Sequence, residues 1–130
     1  MSARMANRND GLEPGDVAFS ERLARDLPGV SELLEAHRRD NDFAVLPYVF
    51  MGAYLWPWFL EHLRSKDARL RSAAIAYLDS LERELAAEDN ATRNLVQIEF
   101  VEWLQNSDPG LDDVRRALPP RLGRSVARGD

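Results

Sequence analysis

The chain has 130 residues, no cysteine and a formal net charge of −5, with 30% charged and 45% hydrophobic residues. That length suits one domain with a real core, the apolar content excludes a disordered chain, and the missing cysteines exclude a disulfide framework and thiolate chemistry. The charge is uneven: the ends, 1–9 and 115–130, sum to +6, and the interior, 10–114, carries −11 from 21 acids and 10 bases. Such a body repels phosphate backbones, so nucleic acid is not the expected partner, whereas a basic protein surface would be attracted.

Residues 1–12 read as a flexible polar arm, and "MSARMANRNDGLEPG" contains no apolar core of signal-peptide length. A cytoplasmic location is the expectation. "PGDVAFSERLARDLPG" predicts a first helix, with Phe19, Leu23 and Leu27 on one face and Pro28-Gly29 ending it. Ser31 is the expected N-cap of "ELLEAHRR", where Leu33, Leu34 and His37 share a side, and Asp40-Asn41-Asp42 forms the next turn.

The stretch "LPYVFMGAYLWPWFL", 46–60, has no charge and six aromatic residues, with Phe43 just upstream. A membrane span needs about 20 mostly apolar residues, and this run is shorter and interrupted by Pro47, Gly52 and Pro57, so no membrane partner is expected. The three-to-four spacing of Leu55, Phe59 and His62–Leu63 predicts a helix, which Pro57 either kinks or restarts. Gly52 permits close approach by another backbone. The run is either core alone or core plus a groove for a partner, since Tyr and Trp also favour interfaces.

"KDARLRSAAIAYLDSLERELAAED" is the clearest helix, with Asp67 as cap and Leu70, Ala74, Tyr77 or Leu78, Leu81 and Leu85 as its apolar stripe. Asn90 is the expected cap of "ATRNLVQIEFVEWLQN", a helix apolar on two sides and therefore buried between neighbours. Asp108-Pro109 opens a short helix through "GLDDVRRAL", Pro119-Pro120 stops it, and the Arg-rich end, 119–130, reads as a disordered tail. The fold class is all-α: a compact antiparallel helical bundle over 13–118, or a short HEAT-like array, with five to six helices. The HEAT-like reading rests on the pair 67–88 and 91–106.

Chemical motifs are sparse. There is no glycine-rich phosphate loop, nucleophile elbow, H-E-x-x-H or cysteine pair, and no metal or other cofactor is expected. His62 follows Glu61, and adjacent helix residues point to different sides, so the two would not chelate one ion. Each histidine reads as a helix-face residue packing its ring. Glu99 and Glu102, three apart, form a carboxylate pair that would either carry a raised pKa or pair with Arg93 or Arg64. Glu32 and Glu35 form a similar pair on an exposed face. An enzyme built on Glu99, Glu102 and His62 is the weakest reading, because no activating constellation is visible.

At "DNDFAVLPYVFMG" and "TRNLVQIEFVEWL" the chain resembles a group of small, acidic bacterial proteins of uncharacterised function. In them "L-P-H-x-F-x-G-D" is followed some 40 residues later by "V-R-N-L-I-x-x-S-F-x-E-x-L". Leu46, Pro47, Phe50, Gly52, Arg93, Asn94, Phe100, Glu102 and Leu104 match, while Tyr48 stands for the pattern's His and Ala53 for its Asp. Members are similar in size and acidity to immunity proteins of bacterial toxin systems. The resemblance thus implies a helical protein that neutralises a basic toxin domain by surface complementarity.

The expected function is therefore a binding module, not an enzyme. Candidate partner-binding residues are Tyr54, Trp56, Trp58 and Trp103 as anchors, with Asp40, Asp42, Glu82 and Glu88 as an acidic rim. The alternative is a structural protein that homodimerises through the aromatic segment 46–60.

Overall fold

Proline and glycine punctuate the first two helices. The computed structural model describes residues 14–87, 92–106 and 109–128. Helix α1 spans Pro14–Asp26 and buries Phe19 and Leu23, with Leu27 buried just beyond its end. Gly29 then turns the chain at φ 81, a left-handed conformation open to glycine, and α2 follows at Val30–Asp40. The cap expected at Ser31 is displaced by this turn. Gly29 takes the capping position, and Ser31 lies inside the helix, its hydroxyl 3.4 Å from Glu32.

Helix α3 covers 47–63 in three continuous parts: Pro47–Val49, a π-helical turn Phe50–Leu55, and Trp56–Leu63. The Trp56 N–H reaches back five residues to the Met51 carbonyl. Proline lacks an N–H and its ring crowds the preceding turn, and here the widened turn immediately precedes Pro57. The helix passes through Pro57 instead of ending or restarting there. The segment forms the centre of the core: Phe50, Met51, Leu55 and Phe59 are wholly buried, and Trp56 and Trp58 nearly so. Burial of each such side chain contributes roughly 1.5–3 kcal/mol.

Helix α4, Ala68–Ala86, starts where the Asp67 carboxylate accepts the Arg69 N–H at 2.9 Å, the capping bond expected from sequence. It buries Ala73, Ala74, Tyr77, Leu78 and Leu81, while Leu70 lies off the stripe and is exposed. Helix α5, 92–105, is again continuous and again contains a π turn, Gln97–Val101 between Thr92–Val96 and Glu102–Gln105. Leu95, Val96, Phe100, Val101 and Leu104 are wholly buried, as a helix apolar on two sides requires. A 3₁₀ turn, Pro109–Leu111, leads into α6, Asp112–Ala117. The expected arm 1–12 and the caps at Asn90 and Asp108 lie outside the described residues.

The Arg-rich end, read as a loose tail, instead forms α7 over Pro120–Arg128. Leu122 is fully buried and Val126 packs on the core, four residues apart on one face. The Glu82 carboxylate on α4 accepts the backbone N–H groups of Arg121 and Leu122, both at 3.0 Å. These are donors that a helix start leaves unsatisfied, and a carboxylate there also suits the helix dipole. Gln105 on α5 holds the far end by donating to the Ser125 carbonyl.

Seven helices and no strand occur among the described residues, where five to six helices were expected. The elements close on one another, whereas in a solenoid each repeat contacts only its neighbours. Helix α1 packs on the start of α5, and Arg22 on α1 pairs with Glu84 on α4 at 2.9 Å. The fold is a compact helical bundle. No helix of the described residues is long and apolar enough to cross a membrane.

Candidate recognition face around helix α3

Helix α3 has two flanks, one against α2 and one against α5. The flank against α2 is organised by His37. Its ring is fully buried, packed 5.3 Å from Phe50 and edge-on to Tyr54 at 4.9 Å. Nε2 accepts the Leu46 N–H at 2.9 Å, which requires the unprotonated nitrogen. Burial holds the imidazole below its usual pKa, opposed by Asp40 and aided by Arg38. His37 thus ties the entry of α3 to α2 as a neutral ring. One turn on, the Tyr54 hydroxyl donates to Asp40 at 2.6 Å, and that bond holds the phenol above its ordinary range.

Between these anchors lies the α2–α3 connection. Asp42 and Phe43 are consecutive residues in the left-handed region, at φ 57 and φ 63. Asp tolerates that conformation, but for a bulky side chain it is a genuine outlier costing about 1–3 kcal/mol. The loop is fixed by the Phe43 N–H donating to the Arg38 carbonyl at 2.6 Å, the Ala44 N–H to Asn41, and the Asn41 side chain to the His37 carbonyl. The result holds Phe43 outward, 63% exposed and the most exposed large apolar residue described, beside the exposed carboxylates of Asp40 and Asp42. On the same flank, Leu33, Ala53, Tyr54, Pro57, Trp58 and Glu61 line an open groove of about 480 Å³.

The flank against α5 is closed by aromatic stacking. Phe100 lies 4.8 Å from Trp56 at 10° between planes, and Trp56 lies 5.6 Å from Trp103 at 14°. The ladder rises from the interior, where Phe100 is wholly buried, to the surface, where Trp103 is 45% exposed. The Trp56 indole N–H donates to the Glu99 carbonyl at 2.7 Å. Gly52 faces this seam: a Cβ there would stand 2.6 Å from Glu99 Oε1 and 3.3 Å from the Trp103 ring. The close approach expected at Gly52 is made by a side chain, the Glu99 carboxylate, in the zone where the two π turns meet. Burial pushes the Glu99 carboxyl above the usual carboxylate range; its hydrogen bond with Trp103 opposes that shift and the charge of Glu102 adds to it. Nearby, the Asn94 side chain donates to the Tyr48 hydroxyl at 3.3 Å, so the two sequence motifs that carry the family resemblance face each other across this seam.

The residues expected to bind a partner therefore divide. Tyr54, Asp40 and Asp42 share the α2 flank, and Trp103 stands exposed on the α5 flank. Trp56 and Trp58 are corrected to core residues, 4% and 7% exposed, because the stack and the α4 contacts enclose them. Glu82 is corrected to the N-terminal clamp of α7. Glu88 lies outside the described residues. The segment 46–60 offers a second copy only Val49, Ala53 and Pro57 as exposed positions, since its large rings fill the core. Phe43, the most exposed large apolar residue described, stands outside the expected set, although a bulky residue following Asp-Asn-Asp at a turn was a signal within reach.

His62 packs on Trp58 at 4.4 Å, while Glu99 lies against Gly52 and Trp103. Arg64, one expected partner of Glu99 and Glu102, instead pairs with Asp113 at 2.8 Å and holds that carboxyl below its usual range. Among the described residues no group of three or more His, Asp or Glu side chains is arranged to hold a metal ion. Comparison with curated proteins and with solved structures finds no match. Residues 20–128 match a family described as a domain of unknown function (DUF7674), and the chain belongs to that family.

Proposed function

We propose that this protein is a recognition module that neutralises a basic partner domain, in the manner of an immunity protein, by presenting the 40–43 loop as its anchor. The observation that carries the reading is the left-handed pair Asp42–Phe43, which holds a large aromatic ring in solvent next in sequence to an exposed aspartate, at a cost in backbone energy. Strain of this kind persists where the surroundings over-determine it, and it clusters at ligand clamps. Interfaces draw most of their affinity from a few aromatic or Arg anchors, and surrounding acids add steering and exclude wrong partners. The groove between α2 and α3, with Tyr54 and Glu61 on its walls, is linked to the loop through the Tyr54–Asp40 hydrogen bond. The interior charge of −11 points to a basic partner.

Replacing Phe43 by the photoreactive analogue p-benzoyl-phenylalanine, with Ile75 on α4 as the control position, tests this in the native cell. The expected result is one dominant adduct with a basic protein from position 43 and none from 75. No adduct from 43, or the same adducts from both, would overturn the reading. An adduct of twice the chain mass would favour the homodimer instead.

A further inference from the structure

We propose that the α3–α5 seam contains a second, chemically specific contact: a receptor for a guanidinium group, formed by the outer face of Trp103 with the carboxylates of Glu99 and Glu102. The guanidinium would belong to an arginine of the basic partner, so its source rests on the function proposed above, while the site is argued from separate residues.

Three observations carry it. The first is the ladder. One face of Trp103 is covered by Trp56, itself backed by Phe100, yet Trp103 remains 45% exposed. A stacked indole that keeps this much exposure is the best aromatic platform for a cation, because the ring quadrupole presents negative potential above its plane. The second is the charge beside it. The Glu99 carboxylate and the Trp103 ring meet over Gly52, 2.6 Å and 3.3 Å from a Cβ placed there, and Glu102 interacts with Glu99 electrostatically. Among the described residues no basic side chain forms an ion pair with either carboxylate, and Arg64 is committed to Asp113. The third is Gly52. Any side chain there would collide with the Glu99 carboxylate, so the sequence leaves the space in which that carboxylate lies.

A planar guanidinium satisfies both halves of this arrangement. It stacks on an aromatic face and offers several N–H donors toward carboxylates in its plane, whereas an ammonium is more strongly hydrated and makes point contacts. Two half-covered carboxylates beside each other repel, and an arriving cation relieves that repulsion.

The probe is N-acetyl-arginine amide, with the isosteric neutral N-acetyl-citrulline amide as control, titrated into the full chain while the Trp103 indole N–H and Gly52 amide signals are followed by NMR. Saturable shifts with the arginine compound and not with citrulline are expected. Trp103→Ala, and separately Glu99→Gln, which keeps shape and an acceptor for the indole, should each weaken binding about fivefold. Unchanged spectra, or equal shifts with citrulline, would overturn the site. So would undiminished binding in a Glu99→Gln protein with a native-like spectrum. Phe43→Ala should leave this titration unchanged, so failure of the 40–43 loop as an anchor and failure of this site are read apart.

Discussion

The two flanks of α3 solve opposite problems with similar residues. Against α5, Trp56 is enclosed: stacked on both sides, hydrogen-bonded through its indole N–H and 4% exposed. Against α2, Phe43 is held out in solvent by a backbone conformation that its own side chain disfavours. The first flank commits Phe100 and Trp56 to stability, and the second gives up stability to present one ring. That difference separates core from candidate interface better than residue type does, because both flanks are rich in aromatics.

Breaking the enclosed flank should have the largest effect. Trp56→Ala removes the middle rung of the ladder and the bond to the Glu99 carbonyl, and should destabilise by about 3–5 kcal/mol in a urea titration. A loss under about 1 kcal/mol would mean that the stack is not cohesive.

Next comes the His37 tie. Its folded pKa lies below the unfolded value, so the unfolded chain binds the proton first as pH falls. Stability should be fully present above about pH 6.5 and decline below it, with a slope of up to about 1.4 kcal/mol per pH unit. The dependence should flatten over that window in His37→Gln when urea midpoints are compared. An equal slope in both proteins would remove His37 as the cause.

Glu82→Ala deletes the acceptor for two N–H groups at the start of α7 and should cost about 1 kcal/mol. Amide exchange of Arg121 and Leu122 should rise first, and unchanged protection there would count against the clamp. Gly52→Ala should have the smallest effect on stability. Helix propensity gains about 1 kcal/mol, and displacing the Glu99 carboxylate and pressing on the Trp103 ring, 2.6 Å and 3.3 Å from the new Cβ, offsets that gain. The expected signature is spectroscopic: a shifted Trp103 indole N–H in a protein of nearly unchanged midpoint.

How much of this was legible in the sequence depends on the range of the interaction. Spacing exposed the stripes of Phe19 and Leu23 and of Tyr77, Leu78 and Leu81, because periodicity is local and burial follows it. The Asp67 cap was equally local. The π turns were not legible: they replace one backbone hydrogen bond by a longer one, with no compositional mark beyond Pro57 for the first. The α7 helix could have been found, since Leu122 and Val126 stand four apart among arginines, but its start is completed by Glu82, about 40 residues away. Trp56 and Trp103 look alike in sequence, and only the fold decides which rung of the ladder faces water. Phe43 runs against its own conformational preference, and propensity reasoning errs where a residue is held in strain.

The most direct measurement of that strain is the urea midpoint of Phe43→Gly. Glycine relieves the left-handed penalty of about 1–3 kcal/mol and loses about 0.5–1 kcal/mol through unfolded-chain entropy. A protein that is more stable by about 1 kcal/mol yet no longer joins its partner is the expected result. A less stable Phe43→Gly protein would contradict it, because Phe43 would then be serving the fold and not recognition.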